Sequence, residues 1–231
     1  MTTELIVALD FHHEIDALKL VEKINPAHCA LKVGNELFTL LGPSFVKKLI
    51  NLQFNVFLDL KFHDIPNTVA RACAAAAEMG VWMINLHASG GLAMMRAAKN
   101  ALDAFGKDKP LLIAVTVLTS MNSLQLPEIG IDTSIANQVN RLAHLSHQAE
   151  LDGVVCSALE APIVKQLCGA SFLTVTPGIR LPGDAADDQS RIVTPRDALM
   201  MGSDYLVMGR SITRSPNPDQ VIAGILASLV E

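Results

Sequence analysis

Eight short apolar runs rich in β-branched residues recur along the chain, at 5–10 (LIVALD), 29–33 (CALKV), 56–61 (VFLDLK), 82–87 (WMINLH), 111–118 (LLIAVTVL), 153–157 (GVVCS), 172–176 (FLTVT) and 205–209 (YLVMG). Between them the apolar positions switch to a helical period, over 14–24, 43–52, 67–79, 91–104, 134–149, 160–168, 194–201 and 217–230, several opened by Asn, Pro or Ser. Continuous apolar strands separated by crossover helices require parallel pairing with both faces covered. Eight such units in 231 residues leave roughly 29 residues each, the size of a minimal (β/α)₈ barrel, the TIM barrel of the α/β class. A doubly wound open sheet is the alternative. It would more usually carry about six strands and a glycine fingerprint after the first, where this chain has Phe-His-His after Asp10. No linker or low-complexity tract interrupts the pattern, so one domain over 1–231 is expected.

Two strand-to-helix connections are long, 119–133 and 177–193, and long loops in compact domains are usually functional or disordered. Both follow a strand, which puts them on the face where barrel enzymes keep their active sites. The second, Gly- and Pro-hinged and polar, is the candidate lid.

Composition narrows the partners. A net charge of −5 and 4% aromatic residues provide neither the cationic field nor the stacking surface of a nucleic-acid binder. The longest apolar stretches fall far short of the roughly 18 residues that span a bilayer, so no membrane partner is expected. The opening MTTELIVALD lacks a basic n-region and reads as mature structure. Cys29, Cys73, Cys156 and Cys168 have no C-x-x-C spacing and lie among apolar residues, as reduced core thiols of a cytoplasmic protein do.

Charged residues avoid strands buried on both faces, so Asp10, Lys32, Asp59 and Lys61, at the ends of the first three strands, stand out. Asp59 and Lys61 are i and i+2, on one side of a regular strand, and Asp64 follows in the turn before Pro66, a D-x-K-x-x-D array. Alternating carboxylates and ammonium groups in a low-dielectric mouth hold each other ionised. A lysine so placed can deliver a proton to carbon. A salt-bridge network tying strand ends together is the bland reading, and four such charges from three consecutive strands weigh against it. A second constellation, Pro177, Gly178 and Arg180 after the seventh strand with Gly209, Arg210 and Ser211 after the eighth, has the backbone freedom and charge of a phosphate site. Thr119 or Ser120 could hydrogen-bond a polar ring edge. His144 and His147, one helical turn apart, lack a third ligand and read as a solvated helix face, so no metal site is expected.

The segments ALD at 8–10, LKVG at 31–34, DLKFHDIPNT at 59–68, VTVLTS at 115–120, TPGIR at 176–180 and MGRSIT at 208–213, with Gln189 in the long loop, closely resemble the orotidine 5′-phosphate decarboxylase family over the whole chain. The resemblance implies cofactor-free removal of CO₂ from C6 of orotidine 5′-phosphate to give uridine 5′-phosphate, the last step of de novo UMP biosynthesis. Lys61 matches the proton donor and Asp59 the carboxylate beside the departing group. Lys32 and Asp10 match sugar-contacting residues, Thr119 the pyrimidine contact, and Gln189, Gly209 and Arg210 the phosphate set, with Arg180 in the closing loop. Asp64 and Thr68 match residues that reach the ribose across a dimer interface, which implies a homodimer. D-x-K-x-x-D alone also fits the wider suprafamily, so a magnesium-dependent sugar-phosphate decarboxylase or epimerase stays open, as does a catalytically silent nucleotide-binding barrel.

Overall fold

The computed structural model describes residues 5–182 and 193–229. Gln189 and most of the 177–193 loop lie outside the described residues.

Strands and helices alternate from end to end: β1 Leu5–Ala8, α1 Glu14–Val21, β2 Ala30–Gly34, α2 Asn35–Asn51, β3 Val56–Phe62, α3 Pro66–Glu78, β4 Met83–His87, α4 Gly91–Asp103, β5 Leu111–Val115, α5 Ile135–Gln148, β6 Gly153–Val155, α6 Ala161–Cys168, β7 Leu173–Thr176, α7 Pro195–Met200, β8 Tyr205–Met208, α8 Arg210–Thr213 and α9 Pro218–Ser228. All neighbouring strands pair in parallel, and β1 pairs with both β2 and β8. That closure makes the sheet a barrel and removes the open doubly wound alternative.

Each expected strand run contains an observed strand, whereas two helices depart from the pattern. α2 begins at Asn35, a full two turns before the expected start at 43. Gly42, at φ +64°, breaks it internally, and Pro43 then opens its second half. Gly-Pro reads as a helix start because proline suits the first helical position, and that punctuation masks the half before it. α8 was not expected, since four residues are too few to show a period.

Strand alternation sorts the apolar side chains into two cores. Ile6, Ala8, Ala30, Phe57, Met83, Ile113, Val175, Tyr205 and Val207 pack inside the barrel. Leu5, Val7, Leu31, Val33, Leu58, Ile84, Leu112, Val154 and Leu206 face outward, under the helices. Filling the lower barrel with side chains leaves only its C-terminal mouth hollow, where the next inward position on each strand can serve chemistry.

Candidate active site

Two residues beyond the inner core layer, the inward register turns polar. Ala30 gives way to Lys32 on β2, Phe57 to Asp59 on β3 and Met83 to Asn85 on β4, and Asp10 follows β1. The four side chains meet. Lys61 Nζ donates to Asp59 Oδ1 at 2.6 Å and Asn85 Nδ2 donates to the same oxygen at 2.7 Å. Lys32 Nζ lies 3.4 Å from Asp59 Oδ2 and 3.2 Å from Asp10 Oδ1. Asp59 and Lys32 are nearly buried, while the Lys61 side chain keeps 31% of its surface open to the mouth.

Burial alone would push the Asp59 carboxyl up, but the Lys32 and Lys61 charges, with hydrogen bonds from Lys61 and Asn85, outweigh it and hold it below the usual carboxylate range. Burial likewise pulls the Lys32 ammonium down, and Asp59 and Asp10 reverse that, leaving it above an ordinary lysine. Both groups are therefore ionised at neutral pH.

Lys61 does not reach this place by simple alternation. Between Leu58 and Phe62 the register with β4 breaks: four residues of advance on β3 are matched by two on β4. Inside this bulge Lys61 adopts φ +52°, a left-handed conformation that costs a non-glycine residue free energy and that clusters at functional sites. Its N–H, lost to the strand ladder, donates to Asn85 Oδ1 at 2.8 Å.

Asp10, Lys32, Asp59 and Lys61 line a cavity of about 850 Å³. Val115, Val155, Val175 and Val207 supply apolar wall, and Thr119, not the adjacent Ser120, borders it from the segment after β5. Half the ring away from β3, the ends of β7 and β8 contribute Gly178, Arg180, Gly209 and Arg210. Gly178 takes φ +81°, which favours glycine there. Arg180 is buried, its Nη1 donates to the Ile179 carbonyl at 2.9 Å, and its Nε has no hydrogen-bond partner among the described residues. Ile179 bridges Val193, and the Arg180 N–H donates to the Val193 carbonyl at 3.1 Å, so the two ends of the long loop are fastened together at the cavity rim. Anionic and planar ligand parts thus have separate homes, cations on one side and the Asp–Lys network with an apolar wall on the other.

Asp64 and Thr68 do not line this cavity. Both are exposed, in the turn before α3 and on its first helical turns, and the Asp64 carboxylate accepts the Ile65 N–H at 2.6 Å. The D-x-K-x-x-D run therefore does not act as one cluster within a single chain. Phe11, His12, Glu36, Thr213 and Arg214 line the cavity without having been singled out from the sequence, and Asn85 and Gly34 shape it. A Cβ on Gly34 would come within 3.3 Å of Lys32 Nζ, so its missing side chain makes room for that ammonium. Asn85 had a visible signal, an amide in the middle of a buried strand, whereas residues 11–12 and 213–214 sit in connections with no period.

His144 hydrogen-bonds Gln148 and the His147 ring packs edge-on against Phe172. All four cysteines are buried and none is in a disulfide; burial pushes the Cys29 and Cys73 thiols up to about 12, Asp219 adding to the effect at Cys29. Among the described residues no helix is long and apolar enough to cross a membrane.

Comparison with known proteins adds what geometry leaves open. The family model of the orotidine 5′-phosphate decarboxylase / HUMPS family matches residues 3–225. Over 229 residues, 99% of this chain and all of the relative, the chain is 60% identical to the orotidine 5′-phosphate decarboxylase of Legionella pneumophila (strain Corby). It is 58% identical, over the same span and again all of the relative, to that of Haemophilus influenzae (strain ATCC 51907 / DSM 11121 / KW20 / Rd). The crystal structure of orotidine 5′-phosphate decarboxylase from Lactobacillus acidophilus superposes with a TM-score of 0.89 at 38% identity, covering 99% of this chain and 100% of that one. With the match spanning Asp10, Lys32, Asp59, Lys61 and Arg210, the chain belongs to the orotidine 5′-phosphate decarboxylase / HUMPS family.

Proposed function

We propose that this chain decarboxylates orotidine 5′-phosphate to uridine 5′-phosphate and CO₂ without a cofactor, with Lys61 as the proton donor to C6. The observation that carries this reading is the Lys61 ammonium, held 2.6 Å from a buried, ionised Asp59 at one side of a cavity whose other side offers Arg180 and Arg210. In the reaction the bond from C6 to the carboxylate carbon breaks heterolytically. CO₂ departs, the electron pair stays on C6, and Lys61 Nζ gives up a proton to it, to be reprotonated from solvent.

Only interactions stronger in the transition state than in the ground state accelerate the step. Negative charge moves from the substrate carboxylate, beside Asp59, towards C6, beside Lys61⁺. That shift relieves repulsion from Asp59 and gains attraction from Lys61, both already ionised and in place before substrate arrives. Lys32 and Asp10 would hold the ribose, Thr119 the pyrimidine edge, and Arg210, Gly209 and Gln189 the phosphate, with Arg180 in the closing loop. Phosphate contacts so far from C6 contribute by drawing the loop shut and fixing the ring against Lys61.

The exposure of Asp64 and Thr68, outside their own chain's cavity, supports a homodimer in which each pair completes the partner's site. A single domain over 1–231 and a cytoplasmic location, supported by four buried cysteines outside disulfides, complete the reading. The test is the ultraviolet absorbance of orotidine 5′-phosphate incubated with the protein and excess EDTA. Loss of the orotate chromophore with stoichiometric uridine 5′-phosphate is expected. An unchanged spectrum from folded protein would overturn the reading and direct attention to magnesium-supplemented sugar phosphates.

A further inference from the structure

We propose that Asn85 is a positioning residue, which sets both the backbone of Lys61 and the carboxylate of Asp59; the inference rests on the decarboxylase reading above. Asn85 is fully buried on β4, in the inward layer level with Asp59. Its amide is used at both ends. Oδ1 accepts the Lys61 N–H at 2.8 Å and Nδ2 donates to Asp59 Oδ1 at 2.7 Å, the oxygen that also accepts from Lys61 Nζ. The two partners fix the amide's orientation, since a backbone N–H can only donate and an ionised carboxylate can only accept.

The reason an amide is needed lies in the bulge. Regular pairing would continue from Leu58–Ile84, but the next paired residues are Phe62 and Leu86, so Lys61 has no ladder partner. A buried N–H left unpaired is costly, and Lys61 adds the strain of φ +52°. The Asn85 side chain stands in for the missing ladder carbonyl and so holds the strained conformer. Its other end clamps the carboxylate that Lys61 Nζ grips. Backbone, ammonium, carboxylate and amide close into one ring of hydrogen bonds, which fixes Nζ from two directions. Neither an apolar residue nor a carboxylate of the same shape can make both bonds: the first offers none, and the second sets a like charge against Asp59.

The test compares wild type with Asn85→Ala and the near-isosteric Asn85→Asp, in the full chain. Titration with uridine 5′-phosphate gives the Kd and counts folded sites; kcat is then expressed per site. Both variants are expected to lose about a hundredfold in kcat per site, the scale of an ångström's misplacement of a reacting group, with Kd within threefold of wild type. If Asn85→Ala yields no binding sites, Asn85→Asp carries the test. A purely structural role would reduce the number of sites and leave kcat per site unchanged. That result, or a loss confined to Kd, overturns the inference while wild-type turnover leaves the decarboxylase reading standing. Wild-type protein that binds the nucleotide but does not turn over orotidine 5′-phosphate overturns both.

Discussion

In the proposed reaction a single side chain, Lys61, does two things, stabilising charge at C6 and supplying the proton that quenches it. Lys61→Ala removes both and should lower kcat by about 10³-fold or more, combining general-acid and electrostatic contributions. Its Kd for uridine 5′-phosphate should remain measurable, because Arg180 and Arg210, the proposed phosphate partners, lie across the cavity; near-wild-type turnover by this variant would sink the mechanism. Arg210→Ala should raise KM and lower kcat/KM by about 10- to 100-fold, the worth of a charged hydrogen bond, and a kinetic comparison at saturating substrate separates the two effects. Asp10, Lys32, Asp59 and Lys61 were legible in the sequence for one reason: full charges do not sit in strands covered on both faces without a task. Asn85 escaped because an uncharged amide in WMINLH costs little to the eye. In the molecule a buried amide is as demanding as a charge pair once both of its ends must be satisfied.

Elements were readable where a period ran for several residues and unreadable where the backbone departs from one. The eight strands follow from β-branched runs, and each pairs with the next around the barrel. The bulge in β3 left no trace, since alternation predicts the correct side for Lys61 while concealing the left-handed backbone that delivers it. The split of α2 at Gly42 was hidden by Pro43, and α8 by its shortness. A different constraint acts on β6, where Gly153 stands opposite Leu173 and a Cβ there would lie 2.2 Å from the Leu173 carbonyl oxygen. That neighbour is backbone and cannot swing away, so Gly153→Ala must separate β6 from β7. It should destabilise the barrel by about 1–3 kcal/mol, as overpacking of a filled interior does. For a chain of this length that is a fall in Tm of roughly 2–4 °C per kcal/mol in a thermal melt. An unchanged Tm would mean that the β6–β7 spacing is wrong.

For the molecule as a whole, the pH range of stability follows from groups clustered at the mouth. Asp59 has a folded pKa below the unfolded carboxyl value of about 3.9, so its contribution is present above that value and is lost as pH falls through the folded one. Lys32 lies above the unfolded lysine value of about 10.4; its contribution is complete below that pH and is lost as pH rises through the folded value. Neither varies between about pH 5 and 9. His87 is different. Burial lowers its pKa, the neighbouring His63 and Lys61 lower it further, and Asp59 only partly opposes them. Below about pH 6.5 the unfolded chain therefore takes up a proton that folded His87 refuses, and stability falls as pH drops from there towards the folded value. Thermal melts should accordingly show Tm declining in two stages on acidification. The first begins near pH 6.5 and the second below about pH 4, where Asp59 gives way. His87→Gln should shrink the first stage and leave the second in place. Asp59 and Lys32 would thus hold their ionisation across a wider acidic range than the fold's full stability. A first stage of equal size in His87→Gln would assign that loss to histidines outside the mouth.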